Sequence, residues 1–210
     1  MGLVADFPEE QWDRVMAVNA KGPFLCAKAC IPHMLRNKEG AIINTASIAG
    51  KTGRGGASAY CASKFAVIAF TQALAEELGP SNIRVIAVCP GFLRTAMWTE
   101  VLNKVQGLLG RGEGDGTVDN LTHVALHGTY LRREQTPDDI GDAVVYLARA
   151  DNITGETLNV AGGAEAPVMV FVAAMAVGMY LQGLVVRPNW WRIFARPPAL
   201  PALRPIHDDS

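Results

Sequence analysis

Two short runs limit what this chain can fold into: GAIINTAS at residues 40–47 and IRVIAVCPG at residues 83–91. Neither alternates apolar with polar residues along its apolar core, so each predicts a strand covered on both faces. The expected strands are about 41–46 and 83–89. Between them SAYCASKFAVIAFTQALAEEL, residues 58–78, reads as a helix that stops at Gly79-Pro80. Thr136-Pro137-Asp138-Asp139 caps a further helix, and ETLNVAGG holds a last strand at about 157–161. Buried strands separated by helices point to an α/β fold with a parallel sheet.

The first helix is expected to open at Asp6-Phe7-Pro8-Glu9, with Asp6 as its cap and an early proline. Trp12, Val15, Met16 and Phe24 follow at helical spacing, and this stripe reads as core. Gly22-Pro23 interrupts the run, because proline removes a backbone donor. A bend is therefore expected between Asn19 and Pro23. The helix resumes through Cys26, Ala29, Cys30 and Met34. Residues 96–135 carry Gly107, Gly110, Gly112, Gly114 and Gly116 and read as a mobile stretch.

Composition narrows the function classes. With a formal net charge of -1, the chain has no basic stripe for nucleic acid. Cys26, Cys30, Cys61 and Cys89 show no CxxC spacing and read as small buried hydrophobes in a reducing compartment. MGLVADF is not a secretory leader. These features point to the cytoplasm. Residues 166–186, APVMVFVAAMAVGMYLQGLVV, carry no charge and are followed by Arg187, Trp190, Trp191, Arg192 and Arg196. That length and those flanks suit a membrane-spanning helix or a buried interface helix. The arginines favour a cytoplasmic C-terminus, which conflicts with a cytoplasmic domain ahead of a single span. His123 and His127 stand four apart, but no third ligand is placed near them. They read as a polar face, and no metal is expected.

The chemistry gathers at Tyr60 and Lys64, four residues apart on one helix face. A neighbouring ammonium favours the phenolate and should lower the Tyr60 pKa toward a useful range. Ser47 stands at the carboxyl end of the preceding strand, where open parallel sheets bind ligands. Ser47 could hold a carbonyl oxygen while Tyr60 delivers its proton. Taken alone, a Tyr-x-x-x-Lys pair is weak evidence.

Five ordered pieces make the pattern specific: WDRVMAVNAKGPFLCAKA, GAIINTASIAGKTG, SAYCASKFAVIAFTQALAEEL, IRVIAVCPGFLRT and TPDDIGDAVVYLARADNITGETLNVAGG. From about Leu3 to Gly163 the chain resembles the later part of a short-chain dehydrogenase/reductase. That resemblance implies a Rossmann-like parallel sheet with flanking helices over residues 1–164. It also implies a substrate lid at about 96–135 and a homo-oligomer.

The activity implied is interconversion of an alcohol and a ketone, with NAD or NADP as cofactor. Tyr60 matches the acid/base, Ser47 the residue that polarises the substrate oxygen, and Lys64 the residue that tunes the tyrosine and holds the nicotinamide ribose. Asn19 matches the asparagine whose backbone holds a relay water. Pro90, Gly91, Phe92 and Thr95 match the turn facing the nicotinamide. The family's glycine-rich phosphate loop and its NNAG strand would come before Leu3 and are not among these 210 residues. Residues 165–210, an apolar helix and a Pro/Arg-rich tail, also depart from the family. Two alternatives follow: a truncated product acting only by association, and a reductase anchored through 166–186.

Overall fold

Among the described residues, strand β2 (Ile83–Pro90) takes the deepest burial, with Val85 through Cys89 wholly enclosed. The computed structural model describes residues 2–93, 95, 96, 99, 126 and 129–164. β2 lies between β1 (Gly40–Thr45) and β3 (Thr157–Val160), and both pairings are parallel. Gly40 stands opposite Ile83 and Thr45 opposite Val88; Ala87 stands opposite Thr157 and Pro90 opposite Val160.

Side chains on a strand alternate between faces, and β2 shows this cleanly. Ile83, Val85, Ala87 and Cys89 meet helix α3 (Ser58–Leu78) through Val67, Leu74, Ala75 and Leu78. Ile86 and Val88 point the other way, onto Leu147 and the partly buried Ile140, Ala143 and Val144 of helix α4 (Pro137–Arg149). The continuous apolar run is therefore two interleaved faces, each with its own helix. The expected Rossmann-like sheet with flanking helices is what the chain forms. Inside the α3 layer the Asn44 side-chain amide donates to Thr71 Oγ1 at 2.9 Å, which ties β1 to the middle of the helix.

The element ends follow the sequence signals closely. α3 begins at Ser58 and ends at Leu78, where Gly79–Ser81 tighten into a 3-10 turn and Asn82 adopts φ 59°. α4 starts with a reciprocal cap: Thr136 Oγ1 accepts from the Asp139 amide, and the Asp139 carboxylate accepts from the Thr136 amide. The bonds that the Thr136 amide and hydroxyl donate to the Asp139 carboxylate hold that carboxyl below its ordinary value.

Three expectations at the N-terminal helices are corrected. Asp6 does not cap helix α1 (Glu9–Met16); it closes a 3-10 turn at Val4–Asp6, and the cap is Pro8, whose carbonyl accepts from Gln11 and Trp12. Trp12 is not core: α1 has no fully buried residue, and Trp12 is 38% exposed. Cys26 and Cys30 are exposed rather than buried. Helix α2 (Gly22–Asn37) meets the core through Ala27, Ile31 and Met34, spaced four and three apart. Each cysteine precedes one of these contacts by one residue, about 100° around the helix.

β1 has β2 on one side only among the described residues, and four of its six residues are only partly buried. Among the described residues no helix is long and apolar enough to cross a membrane. Residues 165–210 lie outside the described residues, as do His123, His127 and most of the expected lid.

Leu147→Ala should destabilise the chain by about 2–5 kcal/mol, because it empties the α4 side of β2. Urea unfolding should show a lower midpoint with an unchanged slope. An unchanged midpoint would mean that the α4 layer contributes nothing to stability.

Candidate active site

The end of β1 leads directly into the site. The Ala46 amide donates to the Val88 carbonyl at 2.8 Å, which holds the end of β1 against β2 for one residue past the strand. Ser47 follows, 8% exposed and extended at φ -171°. Its Oγ accepts from the Ala49 amide at 3.1 Å and caps a 3-10 turn, Ile48–Gly50. This turn lies hard against α3. A Cβ on Gly50 would stand 2.7 Å from the Lys64 carbonyl oxygen, inside any real contact distance. Only glycine allows that approach.

The approach brings the Ser47 hydroxyl within hydrogen-bonding reach of the Tyr60 phenol, where it favours the phenolate. Lys64 Nζ stands 5.8 Å from the centroid of the Tyr60 ring and donates to the Thr45 carbonyl at 3.0 Å. The last residue of β1 therefore aims the ammonium. Burial pushes the Tyr60 phenol above its ordinary value; the Ser47 bond opposes this and the neighbouring Cys61 adds to it. The expectation of a lowered phenol is therefore corrected for this state. Burial dominates, and the Lys64 ammonium directs its hydrogen bond to a backbone carbonyl instead. Burial also lowers the Lys64 pKa, against the nearby Cys89.

Asn19 joins the same helix by another route. It sits in a π-helical turn, Ala17–Lys21, in which the Gly22 amide bonds the Ala17 carbonyl. The expected bend is thus taken up as an over-wide turn. The Asn19 side-chain amide donates to Ser63 Oγ at 3.0 Å, and Ser63 Oγ donates to the Tyr60 carbonyl at 2.7 Å.

The Pro90-Gly91 turn leaves the same end of the sheet, on the β3 side. The Gly91 amide donates to the Val160 carbonyl at 2.9 Å and to Gln135 Oε1 at 3.1 Å, and Gln135 Nε2 donates back to Val160 O at 2.5 Å. A Cβ on Gly91 would stand 2.8 Å from Ala161 and from Gln135 Oε1. Phe92 is buried and Thr95 is exposed. Ser47, Tyr60, Lys64 and Asn19 are thus joined through contacts, while Pro90 and Gly91 share their end of the sheet with hydrogen bonds directed to β3.

Sequence reasoning missed three residues here: Ser63, Gln135 and Cys89. Cys89 is wholly buried, with its thiol against the Ser47 backbone amide and near Lys51 and Lys64; burial pushes that thiol up. Ser63 had a usable signal, since it lies three residues after Tyr60 on one helix face. Gln135 had none, because its role exists only once β3 is beside β2.

A thiol reagent should therefore modify Cys26 and Cys30 in the folded chain and all four cysteines in denaturant. Cys61 and Cys89 combine burial with raised pKa values, so both access and thiolate fraction protect them. Equal rates at all four thiols would contradict this site.

Comparison with known proteins gives a consistent family assignment. The family model described as short chain dehydrogenase matches residues 1–106. A (3R)-3-hydroxyacyl-CoA dehydrogenase of Homo sapiens is 40% identical over 158 residues, covering 74% of this chain and 54% of the relative. An actinorhodin polyketide ketoreductase solved with NADPH superposes with a TM-score of 0.71 at 31% identity, covering 79% of this chain and 63% of that one. A 3-oxoacyl-[acyl-carrier protein] reductase from Brucella melitensis with bound NAD gives 0.61 at 32% identity, covering 77% and 55%. The chain thus spans a little over half the length of the curated relative.

Proposed function

The chain belongs to the short-chain dehydrogenase family, and on that premise we propose that it carries the proton-transfer site of an NAD(P)-dependent oxidoreductase interconverting an alcohol and a ketone. The supporting observation is the convergence of the Ser47 hydroxyl, the Tyr60 phenol and the Lys64 ammonium at the carboxyl ends of the strands. The donor set suits a nicotinamide nucleoside: an ammonium for ribose hydroxyls, beside a phenol that must reach the substrate oxygen. When bound, the nicotinamide supplies or accepts the hydride. Tyr60, Lys64 and the Asn19 backbone would hold it with the Pro90–Thr95 turn, which includes Gly91 and Phe92.

In ketone reduction Tyr60 gives its proton to the carbonyl oxygen while Ser47 donates a hydrogen bond to the same oxygen. The phenolate left behind is stabilised by the Lys64 cation. Lys64 then returns a proton to Tyr60 and is itself reprotonated from solvent through water held at the Asn19 carbonyl. A carbonyl oxygen can accept two hydrogen bonds, and Pro23, the residue that an α-helix would pair with it, has no amide to give. Alcohol oxidation runs the same steps in reverse, with the phenolate as base.

The test uses the purified chain with NADH or NADPH and a 3-oxoacyl thioester, the chemistry in the relatives' names, followed by nicotinamide absorbance. Tyr60→Phe should lower kcat/KM by about 10²–10⁴-fold. Equal activity in that variant would rule out the mechanism. Alcohol oxidation needs the phenolate, so its rate should rise with pH. Lys64→Met removes the cation that favours the phenolate, so the rise should move to higher pH. A shift to lower pH would contradict the Lys64 role.

A second reading is association without turnover, through the exposed faces of α2 and α3. What favours it is that β1 pairs with β2 on one side only among the described residues. Titration with NADH and NADPH separates the two readings. Micromolar binding would count against association alone, and no binding at millimolar cofactor would count against the enzyme.

A further inference from the structure

Ser63 is wholly buried, and the reaction just described does not use it. Its hydroxyl has two partners: it donates to the Tyr60 carbonyl at 2.7 Å and accepts from the Asn19 side-chain amide at 3.0 Å. A serine has a single proton to give. With that proton committed to Tyr60, the oxygen can only accept from Asn19, which fixes the Asn19 amide with its nitrogen inward. The bond to Tyr60 is a local back-bond within α3. The bond from Asn19 spans 44 residues and fastens the π-turn to the helix that carries the phenol and the ammonium.

The turn needs such a tie. The Gly22 amide reaches back five residues to Ala17, and Pro23 has no amide, so this stretch lacks part of the hydrogen bonding that stiffens an α-helix. The Asn19 carbonyl stands four residues before Pro23, the position without an amide. The Asn19 side chain, on the same residue, is held by Ser63.

We infer that Ser63 is a positioning residue: its buried hydroxyl holds the Asn19 turn against the Tyr60–Lys64 helix and so sets where the Asn19 carbonyl stands. The inference rests on the proposed reaction. Without the hydroxyl, Ser47, Tyr60 and Lys64 keep their own contacts, while the Asn19 side chain loses its partner. The proton relay slows, and substrate binding is untouched.

The experiment compares wild type, Ser63→Ala, Ser63→Thr, Asn19→Ala and the Asn19→Ala/Ser63→Ala double variant, each by steady-state kinetics and by urea unfolding. Ser63→Ala should lower kcat about tenfold, with KM changed less than about twofold. Ser63→Thr keeps a hydroxyl at the same place and should recover most of the loss. In the Asn19→Ala background, removing the Ser63 hydroxyl should cost less than it does alone, in kcat and in stability, because the shared bond is already gone. An unchanged kcat in Ser63→Ala, a folded Thr variant no better than Ala, or fully additive effects would overturn the role. A wild-type chain without turnover overturns the reaction itself and the role built on it. A missing coupling in a chain that does turn over overturns the role alone.

Discussion

The placement of every proposed site residue depends on β2 being enclosed on both faces. Its odd-numbered side chains hold α3 and its even-numbered ones hold α4, so a single eight-residue segment fixes two helices at opposite sides of the sheet. Fully burying a Val or Ile side chain is worth about 1.5–3 kcal/mol, and β2 buries Ile83, Val85, Ile86 and Val88 together. The same strand then supplies the anchors at its carboxyl end. The Val88 carbonyl takes the Ala46 amide and so delivers Ser47. Three residues further along, Gly91 turns the chain against β3. Weakening the packing of β2 would therefore loosen the Ser47 side and the Gly91 side together.

At the site itself, packing and electrostatics pull in opposite directions. Gly50 lets the turn after β1 press onto α3, which brings the Ser47 hydroxyl to the Tyr60 phenol. The same closeness removes water. Desolvation raises the phenol and lowers the ammonium, so both groups are drawn toward their neutral forms. Two hydrogen bonds work against that drift: Ser47 to the phenol, and the Thr45 carbonyl accepting from Lys64. A protonated phenol is the form that ketone reduction needs. In the proposed reaction the reverse direction would need more help from charge, and Lys64 Nζ stands 5.8 Å from the Tyr60 ring centroid.

Much of this was readable in advance, for identifiable reasons. β1, β2, β3 and α3 fall within one residue of their expected bounds. Continuous apolar runs and Gly-Pro punctuation are local signals that tertiary context did not override. The errors at α1 and α2 have a shared cause. Apolar spacing marks a helix face, but it does not say whether another element covers that face. Trp12 lies on such a face and stays partly exposed, and Cys26 and Cys30 sit one residue off the stripe that α2 does bury. Asp6 failed as a cap because Pro8 supplies the helix start from its carbonyl side, and a composition motif cannot distinguish that geometry. Gln135 was illegible because it bridges segments that are distant in sequence.

The Gly22-Pro23 pair shows how a local defect can become a site feature. The sequence called for a bend at a missing donor, and the chain answers with a π-turn that keeps the helix running while shifting its hydrogen-bond register. The wider turn keeps Asn19 level with Ser63, where its side chain can be held. The carbonyl that proline deprives of its α-helical donor thus belongs to the residue whose side chain is tied to the Tyr60 helix. Backbone irregularity changes the register at this carbonyl, and the buried Asn19–Ser63 hydrogen bond fastens the turn to the helix that carries Tyr60 and Lys64.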